Sequence, residues 1–139
     1  MERRKFLTLS AAGLLAAPTG LLAAGAGFED YTPGLIDSYL ADEQVVFVDY
    51  FATWCSTCRT QSRVIEQLTQ DNPAYQAAMK FVRVDWDQYS RDDVTTSRNI
   101  PRRSTLIVLK GDAELGRVVA QTGQGAIREL LDLGLAAAA

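Results

Sequence analysis

The hydrophobic positions of this chain change period several times along its length. Val45-Val46-Phe47-Val48-Asp49-Tyr50-Phe51 is a β-rich apolar run broken by one charge. Such a run suits a central strand covered on both faces. Phe81 to Asp85 and Thr105 to Leu109 read as two further buried strands. Gly111-Asp112 is a turn signal, and Leu115 to Gln121 behind it predicts a fourth strand, joined to the third as a hairpin. Between these runs the spacing is helical. Leu35, Ile36, Tyr39 and Leu40 form a stripe that starts at Thr32-Pro33 and ends at Asp42. Cys58 to Gln70 places Val64, Ile65 and Leu68 on one side, and Asn72-Pro73 breaks it. Ala74 to Met79, Asp92 to Arg98 and Ala126 to Leu133 complete the helices, with Gly134 as a stop. The tail Ala136 to Ala139 is expected to fray. Alternating helices and strands closed by a hairpin predict an α/β fold. Its mixed central sheet should have about four strands, with helices on both faces.

The first residues read differently. Glu2-Arg3-Arg4-Lys5-Phe6-Leu7 is a basic head, Phe6 to Ala17 is weakly apolar, and Ala23-Ala24-Gly25-Ala26-Gly27 is a small-residue exit. Those are the three parts of an export signal. The apolar part is too short and interrupted for a membrane span. Arg3-Arg4-Lys5-Phe6-Leu7 resembles the twin-arginine motif, with Glu2 where Ser or Thr is more usual. Ala24 and Ala26 place cleavage after Ala26. Residues 1–26 are thus an expected signal, and 27–139 a single domain without internal repeats. Export predicts a periplasmic location, where disulfides persist.

Composition narrows the function. The chain has 139 residues, 47% hydrophobic and 22% charged, which is ordinary for a globular domain and excludes collagen, coiled coil and extended disorder. Its net charge of -3 becomes more acidic once Glu2, Arg3, Arg4 and Lys5 are removed. That argues against nucleic acid and against docking on anionic lipid. There is no histidine, so His-based triads, metal sites and acid–base pairs are all excluded.

The chemistry concentrates at Trp54-Cys55-Ser56-Thr57-Cys58. The pair follows a buried strand and opens a helix. Unpaired N–H groups and the macrodipole at a helix N-terminus stabilise a thiolate. Cys55 should be the more exposed and nucleophilic, and Cys58, one turn on, lies within disulfide reach. A structural zinc site needs four ligands, and two sulfurs without imidazole do not supply them. No resident metal or cofactor is therefore expected. A purely structural bridge over so short a loop would constrain the unfolded chain weakly. A metallochaperone remains an alternative use of the same pair, because Cu(I) accepts two thiolates.

Val48-Asp49-Tyr50-Phe51-Ala52-Thr53-Trp54-Cys55-Ser56-Thr57-Cys58 resembles the active-site strand and motif of the thioredoxin family. The resemblance runs from about Tyr31 to Leu135. Ala-Thr-Trp-Cys-x-x-Cys, with a later Asn-Pro before a short helix, is similar to exported thioredoxin-like reductases such as the C-terminal domain of DsbD-type transporters. The resemblance implies a thioredoxin-like three-layer α/β/α sandwich and a protein-disulfide reductase or thiol–disulfide oxidoreductase. It implies that Cys55 attacks, Cys58 resolves, and Asp49 is the buried acid that assists Cys58. It places Trp54 beside the site, Arg83 near the acid, and Gly123 beside the substrate groove. The family's cis-proline falls on Ser104 here, with the nearest proline at Pro101. Ser104 should then face Cys55, after a trans bond, as a hydroxyl near the sulfurs. Arg102 and Arg103 beside it favour acidic clients. Ser56-Thr57 lacks the histidine of strongly oxidising members, which favours a reductant or general exchanger. The implied partners are client proteins with disulfides and an electron donor such as a membrane thiol transporter.

Overall fold

The computed structural model describes residues 27–139, so the expected export signal at 1–26 lies outside the described residues. In chain order the elements are β1 (Glu29–Asp30), α1 (Leu35–Ala41), β2 (Val45–Phe51), α2 (Ser56–Asp71), α3 (Ala74–Ala78) and β3 (Met79–Asp85). Then follow α4 (Trp86–Tyr89), α5 (Asp93–Thr96), β4 (Thr105–Lys110), β5 (Ala113–Val119) and α6 (Gln124–Ala138).

The apolar run of β2 sits mid-sheet, in the order β1-β3-β2-β4-β5. It pairs parallel with β3 and antiparallel with β4, which is why nearly all its residues are buried. The hairpin β4–β5 closes one edge, and β1 adds a short parallel edge to β3. The alternation of β2 assigns its two faces. Val45 and Phe47 face a cluster with Ile65, Leu68, Tyr75, Ile127 and Leu131, under α2, α3 and α6. Val46, Val48 and Tyr50 face Ile36, Tyr89 and Val94, under α1, α4 and α5. The result is a mixed five-stranded sheet between two helical layers.

Several boundaries differ from expectation, each for a local reason. β1 is two residues long and leaves no periodic signal. α1 begins at Leu35 rather than at Thr32-Pro33, because Gly34 takes a positive φ of 87° as its cap. α2 starts at Ser56, before its first buried side chain. The helix expected over Asp92–Arg98 shrinks to α5, and α4 was not foreseen. Gly134 does not end α6. It allows close packing instead: a Cβ there would stand 2.1 Å from Met79 Sδ. The helix continues to Ala138, and Ala137 packs on the core in place of the expected fraying.

Candidate active site

β2 delivers its C-terminal end to the start of α2, and Cys55 is the cap of that helix. Its sulfur accepts the Cys58 backbone N–H at 3.2 Å, so the side chain meets one of the helix's unpaired donors. Both thiols are reduced. Cys55 is the more exposed of the two, as expected, but only at 4%, and Cys58 is fully buried. Phe51 and Trp86 pack against the pair and Ala52, closing the site from the side of α4.

The two sulfurs differ in acidity. Burial alone would raise the Cys55 pKa. Hydrogen bonds from the Cys58 thiol, the Ser104 hydroxyl, the Cys58 N–H and the Arg103 side chain outweigh it and bring the pKa from 9.0 down to about 7. For Cys58, burial and donation to Cys55 raise the pKa. Cys55 is therefore the sulfur more readily present as a thiolate near neutral pH, while Cys58 keeps its proton.

Ser104 lies across from the pair, its Oγ 3.1 Å from each sulfur, while Pro101 is exposed. No peptide bond among the described residues is cis, and Ser104 takes a positive φ of 64°. Its backbone is fastened on several sides. Its N–H donates to Tyr50 O at 2.8 Å, and its carbonyl accepts from Ala120 N at 2.9 Å and Gln61 Nε2 at 3.0 Å. Gln61 also donates to Gln121 O at 2.9 Å, tying α2 to the segment that leads into Gly123. Gly123 itself caps α6 in an extended conformation and is exposed.

Trp54 projects from the rim, 54% exposed. Its Nε1 donates to both Asp87 carboxylate oxygens, at 3.0 and 2.9 Å. The Arg103 guanidinium covers the ring at 4.5 Å from its centroid, with a buried Nε that has no hydrogen-bond partner among the described residues. One cleft beside the site runs along Trp54, Trp86, Asp87 and Arg91.

Asp49 is fully buried on the β2 face that α2 covers. Its register partner Arg83 donates to Oδ2 from Nε at 3.3 Å and Nη2 at 3.1 Å, and also reaches Ser62 Oγ of α2 at 3.0 Å. Arg83 is thus an ion-pair partner, not a solvated strand-face charge. Its guanidinium lies between Phe28 and Phe51, 4.4 and 4.1 Å from the ring centroids. Burial raises the Asp49 pKa from 3.8 to about 6, against the opposing pull of Arg83. Among the described residues, no three metal-ligating side chains gather at one point.

The structure therefore joins Cys55, Cys58 and Ser104 directly, and places Trp54 on their rim. Sequence reasoning did not find Gln61, Trp86 or Asp87, nor the covering position of Arg103. Gln61 had a readable signal. It shares a helical stripe with Cys58, Ile65 and Leu68, and a glutamine in an apolar stripe needs buried partners.

Comparison with known proteins gives the same picture. The thioredoxin family profile matches residues 31–132. Thioredoxin-1 of Saccharomyces cerevisiae is 30% identical over 88 residues, covering 63% of this chain and 80% of its own length. Thioredoxin-2 of the same yeast is 38% identical over 84 residues, covering 60% and 75%. Among solved structures, Trxlp from Edwardsiella tarda EIB202 is similar with a TM-score of 0.65 at 26% identity, over 75% of this chain and 97% of that one. The chain belongs to the thioredoxin family, and with its Cys55–Cys58 pair it is a thioredoxin-type thiol–disulfide oxidoreductase.

Proposed function

We propose that the protein works in the periplasm as a reductant or general exchanger of protein disulfides. The observation that carries this reading is the asymmetry of the pair: a capping sulfur with pKa about 7 beside a buried thiol whose pKa is raised. The Cys55 thiolate attacks a client disulfide, and one client sulfur leaves with the electron pair. Cys58 then loses its proton, attacks Cys55 Sγ and releases the second client sulfur. The client gains two electrons and the enzyme becomes the Cys55–Cys58 disulfide. Asp49, poised near neutrality beneath α2, supports the deprotonation of Cys58. An outside thiol donor, for which a membrane thiol transporter is the fitting class, returns the pair to its reduced form.

Two features support the direction and place. Ser56-Thr57 offers no cation between the cysteines, and a thiolate held only to about 7 is not strongly over-stabilised. The three-part leader with Arg3-Arg4 supports export, as in the exported thioredoxin-like reductases it resembles. The deciding measurement is the reduction potential of the pair against glutathione. A value at or below about -180 mV supports an exchanger or reductant, whereas a value near about -120 mV makes it a dedicated oxidant.

A further inference from the structure

The Ser104 hydroxyl stands 3.1 Å from Cys55 Sγ and 3.1 Å from Cys58 Sγ. It is fully buried, so no bulk water competes for it. A hydroxyl owns one proton to donate and can accept as well. Its backbone is pinned by Tyr50, Ala120 and Gln61, which leaves rotation of the O–H as its cheapest motion. A proline at this position would bring no donor. We propose that Ser104 is a catalytic residue whose O–H turns from Cys55 Sγ to Cys58 Sγ within each turnover, stabilising negative charge on whichever sulfur carries it. This rests on the thiol–disulfide reading above and adds a residue to it.

The steps balance. In the reduced enzyme the Ser104 O–H and the Cys58 S–H both donate to the Cys55 thiolate. The thiolate bonds to one client sulfur, and the client's S–S bond breaks with its electron pair on the other. Cys55 is then neutral and no longer holds the hydroxyl proton. The O–H turns to Cys58 and stabilises the thiolate that forms there. That thiolate bonds to Cys55 Sγ, and the remaining client sulfur departs with the electrons of the mixed disulfide. Over both halves the Cys58 proton ends on a client sulfur, and Ser104 keeps its own. Each sulfur lies within reach of the hydroxyl at 3.1 Å, and donation to either one lowers the pKa of that sulfur.

The test uses two variants lacking the hydroxyl. Ser104→Ala keeps a side chain at positive φ, which Ala120 also tolerates at 59°, and Ser104→Gly removes the backbone demand. Two readouts are needed: the pH profile of Cys55 alkylation, and the pH profile of client release from a preformed Cys55 mixed disulfide. Both variants should shift both profiles to higher pH. Both should slow each step at neutral pH by about tenfold or more, the weight of a hydrogen bond to a charged group. Profiles like the unaltered protein's in both variants overturn the proposal. Slower alkylation with unchanged release also overturns it, because the hydroxyl would then serve Cys55 alone. If the unaltered protein reduces no disulfide at all, the oxidoreductase reading fails. That result is separate from any difference between Ser104 variants.

Discussion

Arg83 Nη2 lies 3.1 Å from Asp49 Oδ2, yet Asp49 remains a weak acid, raised from 3.8 to about 6. Desolvation of a fully buried carboxylate outweighs its cation, in part because Arg83 is itself 24% exposed and shares its charge with water. The folded state therefore binds the Asp49 proton more tightly than the unfolded chain. This group's contribution to stability is full below about pH 4, declines as pH rises through about 6, and levels off above. Asp49→Asn should remove that decline. Relative to the unaltered protein it should gain about 1–3 kcal/mol between pH 4 and pH 7, measured by chemical denaturation. It should also slow client release by Cys58. A variant that loses stability over that range and releases clients at the normal rate would contradict both expectations.

Cys55 titrates in the opposite sense. Its pKa falls from 9.0 to about 7, so the stability it contributes is complete above the unfolded value and fades as pH drops through about 7. Alkylation of the reduced protein should follow a midpoint near 7 at Cys55 and be far slower at Cys58. Cys55→Ser should abolish reduction of insulin-type disulfides, and Cys58→Ser should accumulate mixed disulfides. Equal alkylation of both cysteines at neutral pH would reverse the assignment.

Arg103 covers the Trp54 ring and lowers the Cys55 pKa. Arg103→Met keeps much of the apolar stem and removes the charge. Alkylation at pH 7 should slow several-fold and its midpoint should move upward. Peptide disulfides flanked by Asp should lose their advantage over those flanked by Lys, more so at low salt. An undiminished Asp-over-Lys preference in the variant would assign client charge selection elsewhere.

Two glycines of α6 should answer oppositely to alanine. At Gly125 a Cβ meets nothing within 4 Å, so Gly125→Ala should stabilise by up to about 1 kcal/mol from helix propensity. At Gly134 the Cβ would press on Met79 Sδ at 2.1 Å and Val108 Cγ1 at 3.3 Å. The same propensity gain is there opposed by overpacking of about 1–3 kcal/mol, for a net loss in thermal denaturation. Adding Met79→Ala should relieve the clash and make the pair strongly non-additive.

Export is a prediction about residues 1–26. Replacing Arg3 and Arg4 with Lys should stop twin-arginine transport while the purified domain folds normally. Continued export in a strain lacking that machinery would indicate the general secretory route.

The parts that were legible in the sequence are those whose signal is local and strong. The β2 run announces a strand buried on both faces, and the cysteine spacing at its end announces a helix-capped pair. The resemblance to the family places Ser104 at its cis-proline position, and the structure sets that residue against both sulfurs. The rest depends on contacts between distant segments. α4 is four residues long and shows no period, so the Asp87 that steadies Trp54 across 33 positions leaves no pattern to read. Arg103 reads as a charge beside the groove, and only the fold lays it over an indole. Gly134 reads as a helix stop because its role lies in Met79, 55 positions earlier in the chain.

Phe28 ties the start of the domain to the buried acid. It precedes β1 and lies outside the 31–132 span of the family profile, yet its ring flanks the Arg83 guanidinium that pairs with Asp49. It also packs edge-on against Phe47 and Phe81. A recombinant fragment trimmed to the family span would leave one side of that cation open to water and erode the low-dielectric setting of the buried acid. It would also cut α6 short of Ala138. Enzymologists choosing expression boundaries by homology alone would thus be measuring a different proton inventory from that of the intact domain.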